Sequence, residues 1–129
     1  MGRRTGGAGA LGAVLTMKIQ TINLEKGLPT VSFAHSQLTQ ALLSARASGI
    51  QVIKLIHGYG SSGRGGAIRG DVRQTLQKKK ASGSIKAFVP GEEFSPFYEC
   101  ARLALQVCPQ LAKDPDYGRT NHGITLVVL

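Results

Sequence analysis

Ile50–Ile56, IQVIKLI, constrains the rest of the chain more than any other run. A nearly continuous apolar segment, with Gln51 and Lys54 as its polar members, suits a strand covered on both faces. Such strands lie inside sheets that carry helices. Upstream, Ile19, Ile22 and Leu24 mark a shorter β-prone stretch that stops at Lys26, Gly27 and Pro29. Between the two, Val31, Ala34, Leu38, Ala41, Leu42 and Ala45 recur at helical spacing, behind Thr30 as a capping residue and ahead of Gly49 as a terminator. Strand, helix and strand at these distances predict a βαβ unit. Its right-handed crossover lays the two strands parallel, so that both end on one edge of the sheet.

Downstream, Ile68, Val72 and Leu76 predict a second helix opening near Gly65-Gly66, with Arg69, Arg73 and Gln77 on its outer side. Lys78, Lys79 and Lys80 fall in its last turn, where cations meet the negative end of the helix dipole. Ile85–Val89 reads as a third strand closed by Pro90-Gly91, and Gly123–Leu129 ends in a β-rich run. Before that last strand, Ser95 as N-cap, Pro96 and the apolar Phe97, Ala101, Ala104, Leu105, Cys108 and Leu111 predict a third helix that Pro109 should end or kink. The expected fold is α/β, a two-layer sandwich of order βαβαβ(α)β with a four-stranded mixed sheet. One domain is expected over residues 17–129, with a helical insert at about 94–117. Residues 1–16, biased to Gly and Ala, read as a flexible tail, and Met17 as the natural start.

Sixteen Lys and Arg against seven Asp and Glu give a net charge of +9. That balance fits a partner made of phosphates, or a solvated basic surface that only keeps the protein dispersed. Apolar runs stay well short of the ~18 residues that a membrane span needs, so no membrane partner is expected. Cys100 and Cys108 stand ~12 Å apart along a helix, too far for a disulfide. Reduced, buried thiols fit a cytoplasmic setting. Three histidines and one nearby acid make no metal-ligand spacing, so no structural zinc is expected.

Gly58-Tyr59-Gly60-Ser61-Ser62-Gly63 matches the dinucleotide pattern GxGxxG behind a strand. The next strand, however, carries no acid for a ribose, and Gly63-Arg64-Gly65 lacks the Lys-Ser/Thr ending of a Walker loop. What the residues do resemble is the small MutS-related, or Smr, domain. That resemblance rests on His57-Gly58-Tyr59-Gly60 at a strand end, on Gly65-Gly66-Ala67-Ile68-Arg69 opening a helix, and on Gly123-Ile124-Thr125 entering the last strand. The order of elements agrees over about Ile19–Leu129. Two motifs depart: Ile22-Asn23-Leu24-Glu25 stands where the family usually has LDxH, and Asn121 and His122 replace a doubled glycine before Gly123.

The resemblance implies a domain that binds DNA or RNA and, in several relatives, cuts its backbone. For binding, Arg64, Arg69 and Arg73 offer planar donor sets to phosphate, Gly58 and Gly60 expose backbone amides, Tyr59 offers a stacking ring and Asn23 adds an amide. For cleavage, Glu25 or His57 would activate water, with or without a divalent metal, and His122 or His57 would donate a proton. The three converge if the last strand runs antiparallel. His57 reads equally as a loop-shaping residue bonded to backbone. Against both readings stands a non-enzymatic protein-interaction module that uses the inserted helix with Phe94, Phe97 and Tyr98. The sequence leaves DNA against RNA, and the oligomeric state, open.

Overall fold

The computed structural model describes residues 19–27, 29–59 and 63–129, with residues 63–65 described by backbone alone. The expected tail at 1–16, the Met17 start and Gly60 lie outside the described residues. Among the described residues, four strands and three α-helices alternate: β1 (Ile19–Asn23), α1 (Val31–Ala47), β2 (Val52–Ile56), α2 (Gly63–Ala81), β3 (Ala87–Pro90), α3 (Glu99–Val107) and β4 (Ile124–Val128). Short 3-10 turns at Gly91–Glu93 and Pro109–Lys113 flank α3.

The βαβ unit forms as its sequence demands. Thr30 caps α1, its hydroxyl oxygen accepting the Phe33 N–H at 3.1 Å, and Gly49 ends the helix at a φ of 75°. β1 and β2 are parallel, with Ile19 opposite Val52 and Asn23 opposite Ile56. The Leu24 N–H continues the ladder to the Ile56 carbonyl at 2.7 Å. The strand order is β1-β2-β4-β3, with β4 antiparallel to both of its neighbours. The α/β class and the four-stranded mixed sheet are therefore as expected. β2 is a central strand, and both of its faces are covered.

Each face has its own apolar cluster. The helical layer, α1 and α2, brings Leu38, Leu42, Ile68, Val72 and Leu76 onto Ile53, Leu55 and Val127. On the opposite face, Phe94, Ala101, Ala104, Cys108 and Leu111 of the insert cover Val52, Val89, Ile124, Leu126 and Val128. The ends of the insert are tied together, with the rings of Phe94 and Tyr117 centred 5.0 Å apart and the Gly118 N–H on the Phe94 carbonyl at 2.8 Å. Lys54, the charged residue of β2, faces the insert and is clamped by Asp114 at 2.9 Å and Asp116 at 2.6 Å. Burial pulls its pKa down, but the two carboxylates outweigh that and hold it above the usual lysine value.

Two helix starts differ from the sequence reading, and β3 runs over Ala87–Pro90 rather than Ile85–Val89. α2 opens at Gly63 rather than near Gly65-Gly66. α3 opens at Glu99 rather than behind Ser95: Ser95 forms a turn, its carbonyl accepting the Tyr98 N–H at 3.3 Å, and the chain turns helical only beyond it. Pro109 ends the helical path as expected, since it has no N–H to donate. Both cysteines are free thiols; burial, then Glu93, pushes Cys100 up to about 11. Among the described residues, no helix is long and apolar enough to cross a membrane.

Candidate functional site

The parallel strands β1 and β2 end together, and β4 starts beside them running the other way. This brings Asn23-Leu24-Glu25, His57-Gly58-Tyr59 and the turn before Ile124 onto one edge. Backbone bonds lock the last two segments: the N–H groups of His57 and Gly58 both donate to the Gly123 carbonyl at 3.0 Å. Gly58 has a φ of +80°, and any side chain there would collide with the Glu25 carboxylate. The positive φ is what calls for glycine there, since the exposed Glu25 side chain can swing away from an added Cβ. On the first strand, Asn23 Oδ1 accepts the Glu25 N–H at 3.0 Å, a local turn that carries the chain away from the sheet.

His57 lies under this edge and is fully buried. Its Nδ1 is 2.9 Å from the Gly58 carbonyl, which can only accept, so Nδ1 carries the hydrogen. Nε2 is then left to accept from the Thr125 hydroxyl at 2.8 Å. The Thr125 oxygen in turn accepts from Arg73 Nε at 3.4 Å. Burial lowers the His57 pKa most, and the positive charges of Arg73 and Arg69 lower it further against the Gly58 bond and Glu92. The ring is thus a neutral strut between the glycine loop and β4.

Arg73 does not face outward. The sequence reading placed it on the outer side of its helix, but it turns inward toward Thr125 and Ile124, and Glu92 takes its guanidinium fork with both oxygens at 2.8 Å. Burial works to raise the Glu92 pKa, but the Arg73 bonds and charge, helped by His122, hold it below the usual carboxylate range. His122 is about half exposed, with Nδ1 3.8 Å from Glu92. Tyr59 is 61% exposed. Arg69 is half-buried, and it has no ion-pair partner among the described residues. Arg64 lies in the first turn of α2; its side chain, like Gly60, is outside the described residues. His35 is spent on Asp71 of α2, at 2.8 Å.

Sequence reasoning missed Glu92 and Thr125. Thr125 lies in the Gly123-Ile124-Thr125 motif, but the motif does not reveal the partner of its hydroxyl; Glu92 has no signal beyond its place after Pro90-Gly91. Among the described residues, no group of three or more His, Cys, Asp or Glu is placed to hold a metal ion. Glu25 alone is not a ligand set, so no chemistry is routed through a metal here.

The Smr domain family model matches residues 26–93. The chain belongs to the Smr domain family. The solved Smr domain of Thermus thermophilus MutS2 is similar over 85% of this chain and 96% of its own length, at 28% sequence identity and a TM-score of 0.52. No relative is found among curated proteins. Smr domains are known generally for nucleic-acid binding. In this Smr domain, His57-Gly58 and Gly123-Ile124-Thr125, far apart in the chain, are two halves of one hydrogen-bonded contact. Where the family usually has LDxH, Asn23 makes a turn and Glu25 packs on Gly58.

Proposed function

We propose that this Smr domain binds DNA or RNA by its phosphate backbone at the edge where β1 and β2 end, and that binding rather than hydrolysis is its activity. The observation that carries the reading is the burial of His57 beside Gly58 and the exposed Tyr59. Both ring nitrogens are engaged, so the ring holds Gly58 and the loop in place instead of exchanging a proton with solvent. Beside it, Tyr59 offers a face for a base or sugar, and Arg69, with Arg64 five residues earlier in the same helix, offers planar donors to phosphate. Asn23 and Gly58 border the same rim. Contacts of this kind position a backbone without reading sequence.

Of the groups with an acid or base role in prospect, Glu25 and His122 are solvent-exposed, and a hydrolytic reading rests on them. A nicking assay on supercoiled plasmid and structured RNA, with wild type, Glu25→Ala, His122→Ala and His57→Ala, with and without divalent metal, decides the matter. Cleavage by wild type that Glu25→Ala abolishes would overturn the binding-only reading.

Binding itself is tested by fluorescence anisotropy with a labelled oligonucleotide across a salt series. The Arg64→Ala/Arg69→Ala double variant should bind at least ~10-fold more weakly at low salt, with a salt slope shallower by about 1–2. Affinity flat in salt, or untouched by that variant, would move the weight to the protein-interaction reading. That alternative draws on Phe97, 86% exposed, and Tyr98, 43% exposed, at the entrance to α3.

A further inference from the structure

The +9 charge is not all at the glycine loop. At the opposite end of α2, where β3 begins, a groove of about 490 Å³ is lined by Lys80 of α2, Lys86 at the entry to β3, and Arg102 and Glu99 of α3. Three cations from three elements converge there. Neither lysine has an ion-pair partner among the described residues, and Arg102 spends one N–H on the Pro96 carbonyl at 2.8 Å. This contrasts with Lys54 and Arg73, whose charges are cancelled by Asp114, Asp116 and Glu92. Lys80 also lines a second groove, of about 470 Å³, on the other side of β3, with Gln77, Ala81 and the half-buried Phe88. The two grooves share Lys80 at the start of this edge strand, a channel with three cations and one carboxylate in its first part and an aromatic ring and an amide in its second.

We propose that this channel is a second nucleic-acid contact, one that takes an unpaired stretch of the strand held at the glycine loop. Phosphates lie against Lys80, Lys86 and Arg102, and a base packs on Phe88 with the Gln77 amide at its edge; cations tracking a backbone beside an aromatic platform are how unpaired strands are held. The two contacts are joined by α2, along which Arg69 and Lys80 are ~17 Å apart, a span that a strand of several nucleotides covers. An acidic peptide added as a strand to the β3 edge fits less well. β3 has four residues and ends at Pro90, which has no N–H for a new ladder.

This inference rests on the nucleic-acid reading above, and its test separates the two. Anisotropy is measured with single-stranded oligonucleotides of ~4 and ~12 nucleotides, for wild type and for the Lys80→Gln/Lys86→Gln/Arg102→Gln variant, with thermal melting to confirm that the variant is folded. Wild type should gain at least ~10-fold in affinity with length; the variant should keep its affinity for the short oligonucleotide, lose the gain, and show a salt slope shallower by about 2 on the long one. Phe88→Leu, which keeps the apolar packing, should lower long-oligonucleotide affinity alone. If wild type binds and the triple variant retains the full gain, the second contact is wrong and the loop site stands. If wild type binds neither length, both readings fall. If the variant instead loses only binding of a poly-glutamate peptide, the channel is a peptide site and the inference is overturned.

Discussion

On one face of the sheet, Ile53, Leu55 and Val127 meet the apolar stripes of α1 and α2; on the other, Lys54 reaches out of the same central strand to two aspartates of the insert. The first contact is non-directional and tolerates small shifts of the helices. The second fixes the insert in one register, because a charge taken out of water must keep its partners. Both faces bury an apolar cluster, and the insert face adds position to burial: it seats the segment that begins with Glu92, which holds Arg73, which borders Thr125 and His57.

The largest expected effect is on the helical face. Leu55→Ala opens a cavity under both helices at a fully buried site, and should cost about 2–5 kcal/mol in chemical denaturation. A cost under about 1 kcal/mol would break the comparison, since the stability would then have to lie with the insert.

Lys54→Met should cost less, about 1–3 kcal/mol, because the clamp is partly exposed and the apolar stem is kept. The loss comes from leaving Asp114 and Asp116 without their cation. Adding Asp114→Asn should recover part of it. Hydrogen exchange locates the damage: protection should fall in α3 and the following 3-10 turn while β2 stays protected. Uniform loss across the sheet would show that the clamp holds the whole fold and not the insert.

The same contrast explains what was legible in the sequence. The helical face repeats every three or four residues in α1 and α2 and is nearly continuous in β2, so a local pattern is enough to place the elements, their order and the parallel pairing. The edge carrying His57 was legible too, because a strand end followed by glycines marks a sharp change of path. The ionic contacts were not. Lys54 and Asp114 are 60 residues apart, Arg73 and Glu92 are 19 apart, and neither pair leaves a periodic trace. Arg73 was misread for this reason: its place on the helix suggested solvent, and only the return of the chain through Glu92 and Thr125 shows that the arginine is spoken for. Ser95 misled for a local reason, since a Ser-Pro pair that suits a helix start suits a turn equally well.

The smallest expected effect is the pH dependence of the strut where the two faces meet. His57 is neutral in the folded protein, with a pKa lowered below its ordinary value chiefly by burial, whereas in the unfolded chain it titrates near the ordinary ~6.5. As pH falls from about 6.5 toward the folded value, the unfolded state takes up a proton that the folded state refuses, so the unfolding free energy falls. Above that window the contribution is constant. Glu92, also held below its ordinary range, adds a loss of the same sign at lower pH, as its carboxylate protonates and releases Arg73. Urea titrations at steps between about pH 8 and pH 5 should therefore show stability level in the upper part of the range and declining below about pH 6.5, and His57→Gln should flatten that decline while lowering the plateau. Thr125→Val leaves Nε2 without its donor and should cost about 1–3 kcal/mol at neutral pH, while weakening oligonucleotide binding through a looser loop. A wild-type profile flat between about pH 7.5 and 5.5, with Thr125→Val neutral, would mean that the ring is solvated and free to exchange protons, which would return His57 to the catalytic role and erase the line between a supporting layer and an exposed binding rim.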